Sequence, residues 1–338
     1  MKYLKYLVLT TIFALGVGCQ ASVSADATAP LFSVKAEQHP NQIDKKVSYF
    51  DLKLSPKDST QLKLKLSNND KEQAVFAIHA NAAVTNDNLI IDYSQNNAGR
   101  LLTGPADFHF NRIVNYNGPK IVTVPAKTIV TIVVDVNMPQ QPFNGIIEGG
   151  IYITKQLDDK TKEQGGMQNR FSYVIGCVIR ENDQQVQPKI VAKTIKTKTQ
   201  LYRPNVIWKM SAPNQINISD LTVDGDITDL QNKKQIMSRH ETQRQIAPTS
   251  NFNLVFKGDN DLKSGRYLAK VVMKDKQGHI WRFSQHFTVG TPVKTQMVKR
   301  WTMKWWYWLL IILLIIITYK LYQHFKQKKQ ILRHEKKS

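Results

Sequence analysis

The sequence predicts an all-β ectodomain of two tandem immunoglobulin-like β-sandwich domains followed by one transmembrane α-helix. Three observations carry that expectation. Short runs of alternating apolar and polar residues, punctuated by Asn, Asp, Gly and Pro, recur from Val47 to Val289. Such alternation is the period of a strand with one buried face, and its regular interruption is the mark of a sandwich. No amphipathic helical period competes with it. Finally, residues 305–319 carry no charge and lie between lysine-bearing, aromatic flanks.

The first residues combine Lys2 and Lys5, an apolar run from Leu7 to Val17 and the small-residue stretch Val23-Ser24-Ala25. This layout predicts a cleavable secretory signal over 1–25. Cys19 raises the alternative of a lipid-attachment site, against which stands Gly16 three residues before it, where an apolar side chain is wanted. With the signal removed, Cys177 is the single cysteine and no intramolecular disulfide can form. Its apolar neighbours from Tyr173 to Ile179 make it a small buried hydrophobe with no partner to activate it.

A first sandwich is expected over 31–155. In Thr60–Ser67 the apolar residues alternate strictly with polar ones, and Asn68-Asn69-Asp70 follows as a turn. Similar strands are read at Val47–Leu54, Val75–Ala80, Ile121–Val124, Thr128–Val136 and Gly149–Thr154. Thr128–Val136 looks apolar on both faces, as a central strand covered on both sides would be. Residues 156–168 lose the pattern, become charged and include Gly165-Gly166, which marks a linker.

A second sandwich is expected over 169–292, with strands at Arg170–Arg180, Ile190–Lys198, Val206–Ala212, Leu221–Asp229, Asn251–Lys257, Arg266–Asp275 and Ile280–Val289. The piece from Leu262 to Tyr267 has the form of an immunoglobulin-like corner, in which the Tyr267 hydroxyl bonds back to upstream backbone. Trp281 opens the following strand, and both residues are read as structural.

The span 301–322 would reach about 33 Å as a helix, enough for the ~30 Å hydrocarbon core. Trp301, Trp305, Trp306 and Trp308 gather at one end, Tyr319 and Tyr322 at the other, the distribution of interfacial aromatic belts, while Lys304 and Lys320 can snorkel outward. The leader places the body outside the cell, so the basic tail 323–338 lies in the cytoplasm, in line with the positive-inside rule. The expected location is therefore a single-pass cell-membrane protein whose ectodomain faces the wall.

The net charge is +21 over 338 residues. Once the leader, Lys304, Lys320 and the tail are set aside, 37 basic residues face 25 acidic ones, an excess that favours anionic cell-wall polymer as a partner by long-range attraction. A solvated lysine-rich surface explains the same excess. No basic run with interleaved aromatics lies outside the membrane flank, so no nucleic-acid partner is expected.

Catalytic signatures are missing: no Gly-x-Ser-x-Gly elbow, no His-Glu-x-x-His site and no phosphate loop. No cofactor or metal is expected. Asp224-Gly225-Asp226 with Asp229 lacks the full pattern of a calcium loop. Glu148, between Ile146-Ile147 and Gly149-Gly150, is the most conspicuous acid in an apolar setting, and outward-facing strand alternation explains it. The cluster Asn86, Asp87 and Asn88 ahead of Asp92 and Tyr93 offers amide, carboxylate and aromatic groups to a glycan, although a turn entering a strand needs the same residues.

Taken in order, several segments resemble the WxL-interacting proteins of low-GC Gram-positive bacteria. They are Phe32-Ser33-Val34, Asn41-Gln42-Ile43-Asp44, Ser48–Leu52, Thr85–Asn88 with Ile91-Asp92-Tyr93, Pro139, Phe143-Asn144-Gly145 and Gly149–Tyr152. In the second half they are Tyr173–Gly176, Arg180-Glu181-Asn182, Ala247-Pro248 with Asn251-Phe252, Gly265-Arg266-Tyr267 and Trp281. The resemblance implies a membrane-anchored, non-enzymatic surface protein whose N-terminal domain binds peptidoglycan. Its second domain would meet a WxL-domain surface protein or a host extracellular-matrix protein. An extracellular chaperone for exported surface proteins is the alternative, and a polysaccharide-active hydrolase a more distant one.

Overall fold

The strict alternation of Thr60–Ser67 places Leu62, Leu64 and Leu66 on one face, and all three are fully buried. Burying each contributes roughly 1.5–3 kcal/mol, so this strand anchors the first core. The computed structural model describes residues 31–156, 170–200, 203–293 and 319–320.

The first sandwich is built from β1 (Phe32–Ala36), β2 (Phe50–Lys53), β3 (Ser59–Asn68), β4 (Ala74–Ala82), the short pair β5 (Val84–Thr85) and β6 (Ile91–Asp92), helix α1 (Phe110–Ile113), β7 (Val114–Asn115), β8 (Ile121–Val124), β9 (Ile129–Asn137), β10 (Ile147–Lys155) and β11 (Ser172–Arg180). One sheet runs β1-β3-β9-β7 and the other β2-β11-β10-β4-β8. Leu62, Leu64, Leu66, Val134 and Val136 from the first meet Phe50, Leu52, Phe76, Ile78, Ile151 and Ile153 from the second in one core.

Two expectations change here. β11 belongs to the first sandwich: it pairs antiparallel with β10 from Ile147↔Ile179 to Thr154↔Ser172, and Ile175, Cys177 and Ile179 lie in the first core. The passage between the sandwiches therefore follows Arg180. The segment 156–168 lies, beyond Gln156, outside the described residues. β9 is central in its sheet yet has one wet face, with Ile129 62 % exposed while Val134 is fully buried.

The second sandwich comprises β12 (Val191–Gln200), β13 (Arg203–Ala212), β14 (Ile218–Asp229), β15 (Lys234–Ile246), β16 (Ser250–Lys257), β17 (Gly265–Lys274) and β18 (Ile280–Val289). A sheet β12-β13-β16 faces a sheet β15-β14-β17-β18 across a core containing Trp208, Leu254, Phe256, Val223 and Val271. The Tyr267 hydroxyl donates to the Lys263 carbonyl at 2.8 Å. Trp281 is half-buried against the same core.

The sandwiches are joined by more than the chain. The turn between β5 and β6 carries Leu89, fully buried, into the core of the second sandwich. Gln245 N–H donates to the Leu89 carbonyl at 2.8 Å, Arg239 Nη2 to the Asp87 carbonyl at 3.0 Å, and Asn253 Nδ2 to Asp87 Oδ1 at 3.1 Å. Beside the turn, Thr85 Oγ1 accepts from Ala247 N–H at 2.9 Å and from Ser250 Oγ at 2.8 Å, both side chains being buried. At the other flank Ile146 N–H donates to the Gln215 carbonyl at 2.7 Å. Gly145 permits that approach: its φ is +90°, and a Cβ there would lie 2.1 Å from Gln215 O. Leu89 and Thr249, both at this junction, hold φ of 55° and 47°, strained for a bulky and a β-branched side chain.

The expected leader 1–25, and all of 301–322 and 323–338 except Tyr319 and Lys320, lie outside the described residues; these two are helical. Among the described residues no helix is long and apolar enough to cross a membrane.

Candidate functional site: a groove on the first sandwich

Gly150 of β10 and Gly176 of β11 are direct cross-strand partners on the outward face of their sheet. Two adjacent positions without side chains leave a depression, and the ring of Tyr93 lies over it. A Cβ on Gly150 would come within 3.1 Å of that ring and 2.7 Å of Val174. The loop after β6 holds Tyr93 in place. Asp92 Oδ1 accepts from Ser94 N–H at 2.8 Å, and Asn81 Nδ2 donates to the Tyr93 carbonyl at 2.9 Å and to Asn96 Oδ1 at 3.0 Å.

Glu148, next to the depression, accepts from the Tyr93 hydroxyl at 2.6 Å through Oε1 and from Asn217 Nδ2 at 3.2 Å through Oε2. Asn217 comes from the second sandwich, so this wall of the site is shared. Burial pushes the Glu148 carboxyl above its ordinary range, opposed by the two hydrogen bonds it accepts. Burial first, and Glu148 second, also raise the Tyr93 hydroxyl, which therefore stays protonated as a donor.

From this wall a groove of about 1230 Å³ opens toward the rim of the sandwich. Tyr49, Tyr93 and Tyr173 line it together with Lys35, Lys45, Lys46 and Lys65, against Glu37 and Glu148 as the acids. Tyr49 is 40 % exposed. Two strand edges border it. Among the described residues β1 pairs on one side only, with β3, and β2 covers β11 only from Cys177 to Arg180. The groove thus combines aromatic faces, polar hydrogen-bonding groups and an excess of cations, which suits an extended ligand with both apolar and carboxylate-bearing parts.

Of the residues expected to face a glycan, Tyr93 lines this groove and Asp92 caps the loop that carries it. Asn86, Asp87 and Asn88 sit elsewhere, in the turn docked against the second sandwich. Asn86 Oδ1 closes the turn by accepting from Asn88 N–H at 2.9 Å. Tyr49, the groove lysines and Asn217 were not picked out in the sequence. The glycines at 150 and 176 were the available signal, since glycine inside a strand marks close approach. Among the described residues no cluster of His, Cys, Asp and Glu could hold a metal ion. Asp224 is bonded to His240 and Asp226 Oδ2 to Thr228. Cys177 is fully buried, which raises its thiol far out of the reactive range.

Residues 32–155 match the family model described as WxL Interacting Protein, peptidoglycan binding domain, and residues 162–299 the model described as WxL Interacting Protein, host binding domain. These models divide the chain where its composition shifts, whereas strand pairing carries the first sandwich on through β11. No curated protein matches the chain. Among solved structures, the chain is similar to the Escherichia coli chaperone DraB, at 11 % identity over 77 % of this chain and 96 % of that one, with a TM-score of 0.28. It is also similar to a PapD-like domain of human CEP192, at 9 % identity over 49 % of this chain and 98 % of that one, with a TM-score of 0.30.

Proposed function

The chain belongs to the WxL-interacting protein family, and on that premise we propose that it is a non-enzymatic cell-surface scaffold that grips peptidoglycan in the groove of its first sandwich. The carrying observation is the coincidence of that groove, with its tyrosines and lysines, and the part of the chain matched as peptidoglycan binding. Tyr49 and Tyr93 offer faces for sugar rings, and Lys35 and Lys65 offer charge to the carboxylates of the stem peptides. Glu148 and Asn217 tie the groove wall to the second sandwich, which carries the load to a WxL-domain protein or a host matrix protein. In this reading the sandwiches are immunoglobulin-like, residues 1–25 direct export and 301–322 anchor the chain in the cell membrane, with the ectodomain toward the wall.

Residues 26–293 are the piece to test, because β11 completes the first sandwich and Leu89 needs the second. Incubation with purified sacculi followed by centrifugation should bring the wild-type protein into the pellet at physiological salt. Protein left in the supernatant overturns the wall-binding reading. A second reading, an extracellular chaperone holding an extended peptide, draws on the two strand edges that border the same groove and have no strand partner there among the described residues. It predicts a co-purifying peptide from an exported partner and no sedimentation with sacculi.

A further inference from the structure

Charge is divided unevenly between the sheets of the second sandwich. The strands β12, β13 and β16 carry Lys193, Lys196, Lys198, Arg203, Lys209 and Lys257 and no acidic residue. The facing sheet is nearly balanced, with seven Lys or Arg against five Asp or Glu in β14, β15, β17 and β18. Inward positions on β13 and β16 are taken by Val206, Trp208, Met210, Phe252, Leu254 and Phe256. Strand alternation therefore turns Arg203, Lys209 and Lys257 outward. Lys196 and Lys198 sit opposite the outward Ile207 and Asn205. Lys193 is engaged with Asn251 Oδ1 at 2.8 Å and Arg203 with Asp259 at 2.7 Å. Lys196, Lys198, Lys209 and Lys257 have no acidic partner among the described residues.

Lysines on edge strands commonly guard against unwanted pairing, and β12 and β16 are edges. Lys209 lies on the central strand β13, where there is no edge to guard. A second feature points to a ligand. At one end the face falls into a cavity of about 720 Å³ lined by Arg203, Asn205, Lys257 and Arg239 together with Asp87 and Glu241. Arg239 and Arg244 hold Glu241 Oε2 at 3.0 and 2.9 Å, and Asn253 holds Asp87 Oδ1. Asn205 is only 4 % exposed, and its Oδ1 is buried with no hydrogen-bond partner. It stands in register between Lys198 and Lys257.

We propose that this face binds a linear polyanion whose units carry hydroxyl groups. Lys196 and Lys198 stand about 6.8 Å apart along β12, and Lys198 and Lys257 face each other across Asn205 of β13 at about two strand spacings, roughly 9.6 Å, so the cations are spaced to meet successive anions of an extended chain. A ligand hydroxyl donates to Asn205 Oδ1, completing the buried acceptor. A polyol phosphate of the cell wall and an acidic glycosaminoglycan share this chemistry.

The full-length protein in detergent is measured against synthetic poly(glycerol phosphate), heparin and poly-glutamate over a salt series. The wild type is expected to bind at least one of the first two in preference to poly-glutamate, with affinity falling as salt rises. Joint replacement of Lys196, Lys198, Lys209 and Lys257 by Gln should weaken it about tenfold, while Lys270→Gln with Lys274→Gln on the balanced sheet changes little. Preference for poly(glycerol phosphate) assigns the wall polymer and preference for heparin the glycosaminoglycan. Equal binding of poly-glutamate, no binding of any polymer, or an unweakened quadruple variant overturns the proposal.

Discussion

Leu89→Ala isolates the coupling between the two sandwiches. Leu89 belongs by sequence to the β5–β6 turn of the first unit, yet it is fully buried in the core of the second. Removing its isobutyl group loses transfer free energy and leaves a cavity, for which Leu-to-Ala changes cost about 2–5 kcal/mol. The turn is also held by Gln245, Arg239 and Asn253, which limits how far the site can collapse to fill the void, so a cost near 3 kcal/mol is expected. For a unit of this size each kcal/mol lowers the midpoint by about 2–4 °C, giving a fall of roughly 6–12 °C. Scanning calorimetry of residues 26–293 should record one cooperative transition for the wild type. In the variant the second sandwich should melt earlier, broadening or splitting the peak. A single transition shifted by less than about 2 °C would refute the reasoning, because the turn would then be a surface decoration and not part of the second core.

Gly145→Ala should cost more than about 1 kcal/mol in urea unfolding, since the new Cβ meets the Gln215 carbonyl and φ is +90°; a loss within about 0.5 kcal/mol would remove the close approach from the account. Thr85→Ala leaves the buried Ala247 N–H and Ser250 hydroxyl short of a partner, at about 1–3 kcal/mol, and a double-mutant cycle with Ser250→Ala should be clearly non-additive. Glu148 has a folded pKa above its ordinary value, so as pH rises from that value the unfolded state gives up its proton first. Stability of the wild type should therefore fall with rising pH relative to Glu148→Gln, and parallel pH profiles of unfolding would contradict the burial of this carboxyl.

The strands with one buried face were legible because alternation is a local property. Ile121–Val124 and Ile280–Val289 coincide with β8 and β18, and Thr60–Ser67 lies within β3. β15 was missed because Lys234–Ile246 is polar on nearly every position and buries only Met237 and Ile246. β1, Phe32–Ala36, does alternate apolar and polar residues and was overlooked, whereas the two-residue β5, β6 and β7 are too short to present a period. The assignment of β11 turned on pairing with β10 across a charged segment, which no local pattern encodes. The site was half legible for the same reason. Tyr93 and Asp92 stood out as a cluster, but Tyr49, Lys35 and Asn217 reach the groove from three distant stretches, and only the fold collects them. Asn86, Asp87 and Asn88 drew notice as glycan-facing groups, whereas their positions serve the turn that carries Leu89 into its neighbour.

The most direct test of the central claim is sedimentation of residues 26–293 with sacculi stripped of their phosphate polymers, which separates the groove from the basic sheet of the second sandwich. The wild type should pellet, and Tyr49→Ala combined with Lys35→Gln and Lys65→Gln should stay in solution while retaining the wild-type melting curve. Equal pelleting of the two proteins would place the wall contact elsewhere on the molecule and contradict the account.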